Sequence, residues 1–503
     1  MKKLKTTGLI LAVYFTCMAL VRILLPLPET TPYSQHLANT GDSDLQRIAA
    51  QIPDGKTGVF SINNGQDAFA ARKTLIESAQ RSLDLQYYIW HQDSSGLQLL
   101  EAIRAAAERG VKVRMLLDDN GIAGLDPILK QLNQHANIDI RLFNPSRFRS
   151  PKGLGYLFEP LRMNRRMHNK ALIADSAVAV VGGRNIGDEY FAVAEDSNFF
   201  DLDALAIGKV VEETAIVFDD YYNSKPSVPL PAVIDHPDET ATPSDALTDA
   251  LAALGTPEID ARLAASLANW RKVIADRAID FEVTTVRLIA DKPEKGSGWT
   301  PRETLAITKI GKLIADARHS LHIASAYFIP GTLGTKAFTQ TAQRGAEVSI
   351  LTNSIASTDV LAVHAGYTKY RRELLQSGVK LYELKPYQGS STERSSLHTK
   401  MLAIDSQTVF IGSFNFDPRS VYLNCEMGFV IDSPAMAKLT ASLFDENLQY
   451  GSYQPSLTPD RQMIWLESVK DSSNLIYQQE PNASWFDQVA LVIIGLLPVE
   501  WLL

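Results

Sequence analysis

His168 to Asn185 reads HNKALIADSAVAVVGGRN, and His398 to Asn415 reads HTKMLAIDSQTVFIGSFN. In each, Lys follows His by two residues, Asp by seven, a Gly by fourteen and Asn by seventeen. One such stretch alone reads as an exposed strand end, but two with the same five-point spacing are one device used twice. Ala171, Leu172, Ile173 and Ala174 in one copy, and Met401, Leu402, Ala403 and Ile404 in the other, begin a pattern of two short buried strands joined by a turn at the Asp. Period-2 alternation puts His168 and Lys170 on one face, and His398 and Lys400 likewise.

Working outward, each copy closes the same run of elements. Before the first, GVFSI reads as a strand, DAFAARKTLIESAQRS as a helix, SLDLQYYIW as a strand, GLQLLEAIRAAAERG as a helix stopped by Gly110, and VKVRMLLD as a strand. Before the second, TLAITKIGKLIADARHS, SLHIASAYFI, GTKAFTQTAQRG and AEVSILTN repeat that order, Ser320-Leu321 and Arg344-Gly345 answering Ser82-Leu83 and Arg109-Gly110. The alternation predicts an α/β fold of two related halves, each a mixed β-sheet flanked by helices. KPSVPLPAVIDHPDETATPSD is Pro-rich and acidic and reads as a linker; the Ala-rich segment behind it reads as a small helical insertion that packs. The expected division is 1–34 an N-terminal membrane anchor or signal segment, 35–224 the first half, 225–279 linker and insertion, 280–455 the second half, and 456–503 a C-terminal tail.

The 503 residues hold two or three domains, and 45% hydrophobic content suffices for a sizeable core. A formal net charge of −8 weighs against a nuclease, so no nucleic-acid partner is expected. Cys17 and Cys425 leave no disulfide framework, and neither a Cys/His cluster nor an HExxH pattern predicts a transition-metal site. Two His, two Lys and two Asn suit displacement at an anionic phosphodiester. One neutral imidazole attacks while the other, protonated, donates to the leaving group. Lys170 and Lys400 would hold phosphate oxygens, with Asn185 and Asn415 donating amide hydrogen bonds. Four such donors require no metal and no cofactor. Ser413 adds a hydroxyl that the first copy lacks at Gly183, and Arg184 reads either as a phosphate contact or as a surface charge.

The paired His-x-Lys-x4-Asp, each followed by Gly-[Gly/Ser]-x-Asn, resembles the signature of the phospholipase D superfamily, over about residues 57 to 450. The resemblance implies two pseudo-twofold-related halves with one active site at their interface, a covalent phosphohistidine and metal-independent catalysis. It carries catalytic roles to His168, Lys170, Asp175, His398, Lys400 and Asp405. The two aspartates are expected to order their loop and the opposite half. An acid one strand later is expected to orient each His: Glu426 in the second half, Asp201 or Asp203 in the first. Glu426 on the apolar EMGFVI run also reads as half of a structural ion pair. DLQYYIWHQDSSG, RGVKVRMLLDDNG, GGRNIGDEYF, GSFNFDPRS and the closing LLPVEWLL are similar to bacterial cardiolipin synthases of the C type. That likeness implies phosphatidyl transfer from one phospholipid, phosphatidylglycerol or phosphatidylethanolamine, to the glycerol headgroup of phosphatidylglycerol. His168 would be the nucleophile and His398 the acid and later the base. Hydrolysis by water, as in a phospholipase D, would use the same residues; a nuclease or a non-catalytic membrane scaffold are lesser alternatives.

Both ends of the chain suggest a membrane. Lys2, Lys3 and Lys5 precede an apolar stretch from Gly8 to Val21, which reads as a signal anchor, or second as a cleaved signal. It is short of the roughly 20 residues a span needs. As an anchor it places the catalytic part on the periplasmic side of a bacterial inner membrane. WFDQVALVIIGLLPVEWLL, Trp485 to Leu503, has aromatic residues at both ends and reads as interfacial rather than spanning, with Pro498 and Glu500 inside it. Arg147, Arg149, Lys152, Arg162, Arg165, Arg166 and Lys170 against the single acid Glu159 read as a patch for anionic headgroups, or else as a solvated loop.

Overall fold

The computed structural model describes residues 2–28, 31–194, 197–234, 245–254, 261–387, 394–442, 444, 448–470, 473–497 and 500–503. Residues 235–244 of the expected linker, residues 255–260 of the insertion and Pro498 lie outside them.

The strands run β1 (Thr57–Ile62), β2 (Ser82–Ile89), β3 (Lys112–Gly121), β4 (Ile138–Phe143), β5 (Ala171–Ala174), β6 (Val178–Gly182), β7 (Ser197–Phe200), β8 (Asp203–Gly208), β9 (Ser227–Pro229) and β10 (Glu282–Thr284). They continue with β11 (Val286–Ala290), β12 (Ser320–Ser325), β13 (Glu347–Asn353), β14 (Lys380–Leu384), β15 (Arg394–Leu397), β16 (Lys400–Ile404), β17 (Thr408–Gly412), β18 (Met427–Asp432), β19 (Ser452–Leu457), β20 (Met463–Glu467) and β21 (Leu475–Tyr477). One sheet has the order β10-β1-β8-β6-β5-β2-β3-β4-β9, the other β11-β18-β17-β16-β12-β13-β14-β19-β20-β21. The run from β1 to β4 in the first sheet matches the run from β11 to β14 in the second, strand for strand. In both, the two pairings that follow a helical crossover are parallel and the hairpin strands antiparallel.

Each motif is the central hairpin of its sheet. Alternation sends Ala171 to a core between the sheets and Leu172 to the helical layer outside. The inner core joins Ala171, Val181, Ala204 and Ala206 to Met401, Ala403, Ile411 and Phe429, so the halves pack sheet against sheet. A separate parallel pair, β7 with β15, ties them together at one edge. Asp175 and Ser176, and likewise Asp405 and Ser406, turn the hairpins with positive φ of 52° to 53°. That conformation is tolerated best by short polar side chains that bond locally.

Three boundaries differ from the sequence expectation. β9, inside the expected linker, is an edge strand of the first sheet. β10, expected in the second half, pairs with β1 of the first. The expected tail supplies β20 and β21, and its first residues finish β19, so the second sheet extends to Tyr477. Short edge strands carry too few alternating residues for sequence periodicity to register. The insertion does pack: Leu263, Leu267, Trp270 and Ile274 join the outer core of the first half. Among the described residues no helix is long and apolar enough to cross a membrane. The N-terminal helix Lys2–Leu24 rests beside residues 154–158, Tyr14 donating to the Leu157 carbonyl.

Candidate active site

The two motifs meet at the seam between the sheets, and each histidine is held by the other half. The His168 amide donates to the Cys425 carbonyl and the His398 amide to the Phe200 carbonyl. The next residue in each case is the acid on the imidazole. His168 Nδ1 lies 2.9 Å from Glu426 Oε2, and His398 Nδ1 lies 2.6 Å from Asp201 Oδ2. The pairs therefore cross the seam, Glu426 serving the first motif and Asp201 the second. Both acids are buried, and a carboxylate on Nδ1 selects the tautomer that leaves the Nε2 lone pair for chemistry.

Of the two acids expected to compete in the first half, Asp203 is the structural one. It binds Arg72 at 2.9 Å and Arg184 at 3.1 Å. Arg184 is neither a phosphate contact nor a surface charge. It is fully buried, and donates also to the carbonyls of Ile62, Asn63, Tyr190 and Asp201, which clamps the segment that presents Asp201.

Ser413 is corrected similarly: its hydroxyl donates to Glu426 and fixes that carboxylate, so it is not free to serve substrate. The counterpart Gly183 has no room for a side chain, because a Cβ there would stand 2.2 Å from Asp201 Oδ1. A shorter acid packed on glycine replaces a longer acid packed on serine, which accounts for GGRN against GSFN.

Lys170 Nζ donates to the His168 carbonyl at 2.6 Å, and Lys400 Nζ to that of His398; both ammonium groups are buried. Asn185 is engaged at both ends of its amide, accepting from Ile89 N and donating to the Tyr190 hydroxyl. Asn415 leaves its buried Oδ1 without a partner among the described residues. Tyr88 meets His168 edge-on at 5.0 Å, Tyr190 meets His398 at 5.1 Å, and Phe199 stacks on His398 at 5.2 Å. These rings were not found from sequence, since aromatic residues in YYIW, DEYF and SNFF read equally well as core.

Asp175 and Asp405 are at the far end of their strands from the histidines. Asp175 accepts the amides of Gln80, Arg81 and Ser82, and Asp405 those of Arg318, His319 and Ser320. Each orders a helix-to-strand turn of its own half, not the opposite half as expected. Asp175→Ala is expected to lower stability by about 2–4 kcal/mol, through three orphaned amides and a turn held at positive φ. Urea unfolding would register that loss, while activity per folded molecule stays near wild type. Burial opposes it, but the three amides hold the Asp405 carboxyl below its ordinary 3.8. A depressed folded value stabilises above the unfolded pKa, and the gain is lost as pH falls through the folded one. Asp405→Asn should therefore flatten the acid limb of the stability curve below about pH 4.

Burial opposes charge on both His168 and Glu426. His168 is pushed well below the ordinary histidine value by burial, then by Lys170, Lys400 and His398. Glu426 is pushed up to about 7 by burial, with Lys170 and Ser413 opposing. In the other pair burial raises Asp201, but His398 and Lys400 outweigh it and hold the carboxyl below its usual range. Burial and Lys400 lower His398, against Asp201, while burial brings Lys400 down to about 8. An arriving phosphate anion reverses the penalty on all the cations at once.

The basic run before the first motif is mostly neutralised within the protein. Arg166 binds Asp118, Arg149 binds Asp119 and Asp126, Lys152 binds Asp119, and Arg147 and Arg162 share Glu159. Apart from Glu159, its acids come from outside the run, which is why it looked unpaired. His91, Asp93 and Glu189 form the one group with metal-ligand spacing among the described residues. Asp93 already caps the helix Ser94–Glu108, and Glu189 pairs with His91 at 3.1 Å.

Two sheets related strand for strand, with a His-Lys pair from each at the seam, define a bilobal phosphodiester-processing fold. The chain belongs to the family described as cardiolipin synthase, PLD-like domain, whose model matches residues 73–220 and 310–448. It is 40% identical over 471 residues to Cardiolipin synthase C of Escherichia coli (strain K12), covering 91% of this chain and 98% of that protein. It is 26% identical over 410 residues to a Cardiolipin synthase of Geobacillus kaustophilus (strain HTA426), covering 80% and 69%. A phosphatidylserine synthase from Haemophilus influenzae Rd KW20 shares the fold, with a TM-score of 0.55, 13% identity, and coverage of 82% of this chain and 92% of that one.

Proposed function

We propose that the protein is a phosphatidyltransferase that makes cardiolipin through a phosphohistidine. The observation that carries this is the crossed pair of Nδ1 carboxylates, which frees Nε2 on both rings at one seam beside two buried lysines. His168, whose ring burial and the neighbouring cations drive toward neutrality, attacks phosphorus through Nε2. The P–O bond to the donor's headgroup breaks, and protonated His398, beside its ionised acid, gives the leaving oxygen a proton. His398 then takes the proton from a terminal hydroxyl of phosphatidylglycerol, whose oxygen attacks phosphorus and releases His168. Lys170, Lys400, Asn185 and Asn415 are the candidates to steady the phosphoryl oxygens. Phosphatidylglycerol is the acceptor, and phosphatidylglycerol or phosphatidylethanolamine the donor.

The setting proposed is the inner membrane of a bacterium, with the N-terminal segment as anchor and the catalytic part on the periplasmic side. Support comes from apolar side chains left in solvent near both ends of the chain and before the first motif. They include Phe15 and Ile23 of the N-terminal helix, Leu161 before the first motif, and Phe486, Ile493 and Leu496 of the helix Trp485–Leu496. Arg419 ties residues 502 and 503 to the segment before the first motif: its guanidinium donates to Asn164 Oδ1 and the Leu502 carbonyl, its amide to the Leu503 carbonyl. Deleting residues 485–503 is expected to weaken binding to phosphatidylglycerol vesicles by about tenfold or more, read by co-sedimentation.

The functional test is lipid mass spectrometry after incubation with phosphatidylglycerol vesicles, with and without phosphatidylethanolamine, in chelator. Cardiolipin is expected. Phosphatidic acid alone would make the protein a hydrolase, and no product from either mixture would remove the lipid-transfer reading.

A further inference from the structure

The pseudo-twofold relation lets each half be compared with the other, side chain by side chain. In the first half Leu116, Phe143, Met167 and Cys425 pack against Phe218, Tyr221 and Tyr222 in one closed cluster. Matching strand registers carry Leu116 to Leu351, Phe143 to Leu384 and Met167 to Leu397. Cys425, which accepts the His168 amide, answers to Phe200, which accepts that of His398.

These counterparts are buried in the core between the sheets, but their cluster is open on one side. With Phe444 and Leu448 they line an open-sided cavity of about 540 Å³. Side-chain volume explains the difference. Phe143 becomes Leu384, Gln86 becomes Ala324, and Phe200 stands 47% exposed. Where the helix Lys209–Tyr222 supplies three aromatic rings, the described residues facing the second sheet include the small Ala437 with Phe444 and Leu448.

Protein interiors are packed like organic crystals, and an apolar void weakens a fold as its volume grows. A space of this size, mostly apolar with Asn63, Asn198 and Ser395 among its polar groups, has the dimensions and lining of a ligand site. Among the described residues Asp201 is the one ionisable residue that lines it, and its Oδ2 is taken by His398, so the described lining suits an uncharged, apolar guest. The cavity also adjoins the chemistry, because Phe199 on the His398 ring and Asp201 on its Nδ1 both stand in the wall.

We propose that this cavity receives one acyl chain of a phospholipid substrate while the headgroup phosphate rests on the histidines, a proposal that builds on the lipid-transfer reading above. The first half has its equivalent space filled by its own aromatic side chains, so the pseudo-symmetric site is asymmetric for lipid.

The test has two arms. Wild-type protein is irradiated with phosphatidylglycerol carrying a diazirine near the end of one acyl chain, and the labelled peptides are mapped. Label on peptides containing Leu351, Leu384 or Phe444, displaced by excess unlabelled lipid, is expected; label confined to the terminal helices overturns the proposal. In the second arm Leu384→Phe with Ala324→Leu fills the cavity, Leu384→Phe restoring the residue type of the first half. This variant is expected to lose at least tenfold in kcat/KM for dipalmitoyl phosphatidylglycerol and to stay within twofold of wild type for the dihexanoyl lipid. Equal treatment of both lipids overturns the proposal. If the variant does not fold, the wild-type label decides. If wild type transfers neither lipid, the transfer reading fails by itself, and the label still decides whether the cavity holds an acyl chain.

Discussion

His168→Ala is expected to abolish the phosphoenzyme and to lower phosphatidyl transfer by at least about 10⁴-fold. The ring is buried with its Nδ1 spent on Glu426, so no neighbouring atom replaces the lost Nε2. His398→Ala should be comparably inactive on natural lipids, but for a different reason: the leaving alkoxide lacks its proton. A phosphatidyl ester of p-nitrophenol separates the two, because that leaving group needs no acid. His398→Ala should release p-nitrophenolate and stall with the phosphatidyl group on His168, whereas His168→Ala should release none. A phosphatidyl group found on His398 in the His168 variant would reverse the assignment of nucleophile and acid.

Asp201→Asn is expected to lower turnover by about 10²- to 10⁴-fold, although the side chain belongs to the half that lacks His398. Its negative charge raises the His398 pKa, against burial and Lys400. Without it the ring holds a proton only at lower pH, so the pH optimum should move to the acid side as well as fall in height. The activated ester should rescue most of the loss, as it does for His398→Ala. Asp203→Asn, two residues away, should behave otherwise. It strips the partner from buried Arg72 and Arg184, so about 3–5 kcal/mol of stability is expected to go, with no change in pH optimum for the molecules that stay folded. Thermal unfolding beside a pH-rate profile distinguishes the two aspartates.

Much was legible along the chain. The doubled spacing located both hairpins, both His-Lys pairs and the α/β halves, because hairpin strands and crossover helices are written in short-range periodicity. It also picked out Glu426 and Asp201 as candidates, but by the logic of one half orienting its own ring. What escaped it lay in short edge strands such as β9 and β10, and in charges whose partners are far away in sequence. Asp203 looks like Asp201 along the chain; only their partners, Arg72 and Arg184 for one and His398 for the other, separate a structural acid from an orienting one.

The sequence by itself therefore determined the family, the two sheets and the His-Lys pairs proposed to meet phosphate, since those follow from local residue order. Tertiary structure alone decided which acid holds which histidine, that Ser413 and Arg184 work inside the protein, and that the basic run is largely neutralised. Those facts depend on which surfaces face each other across the seam. Two similar halves packed sheet against sheet can trade partners, as Glu426 with His168 and Asp201 with His398 do, without any change in spacing along the chain.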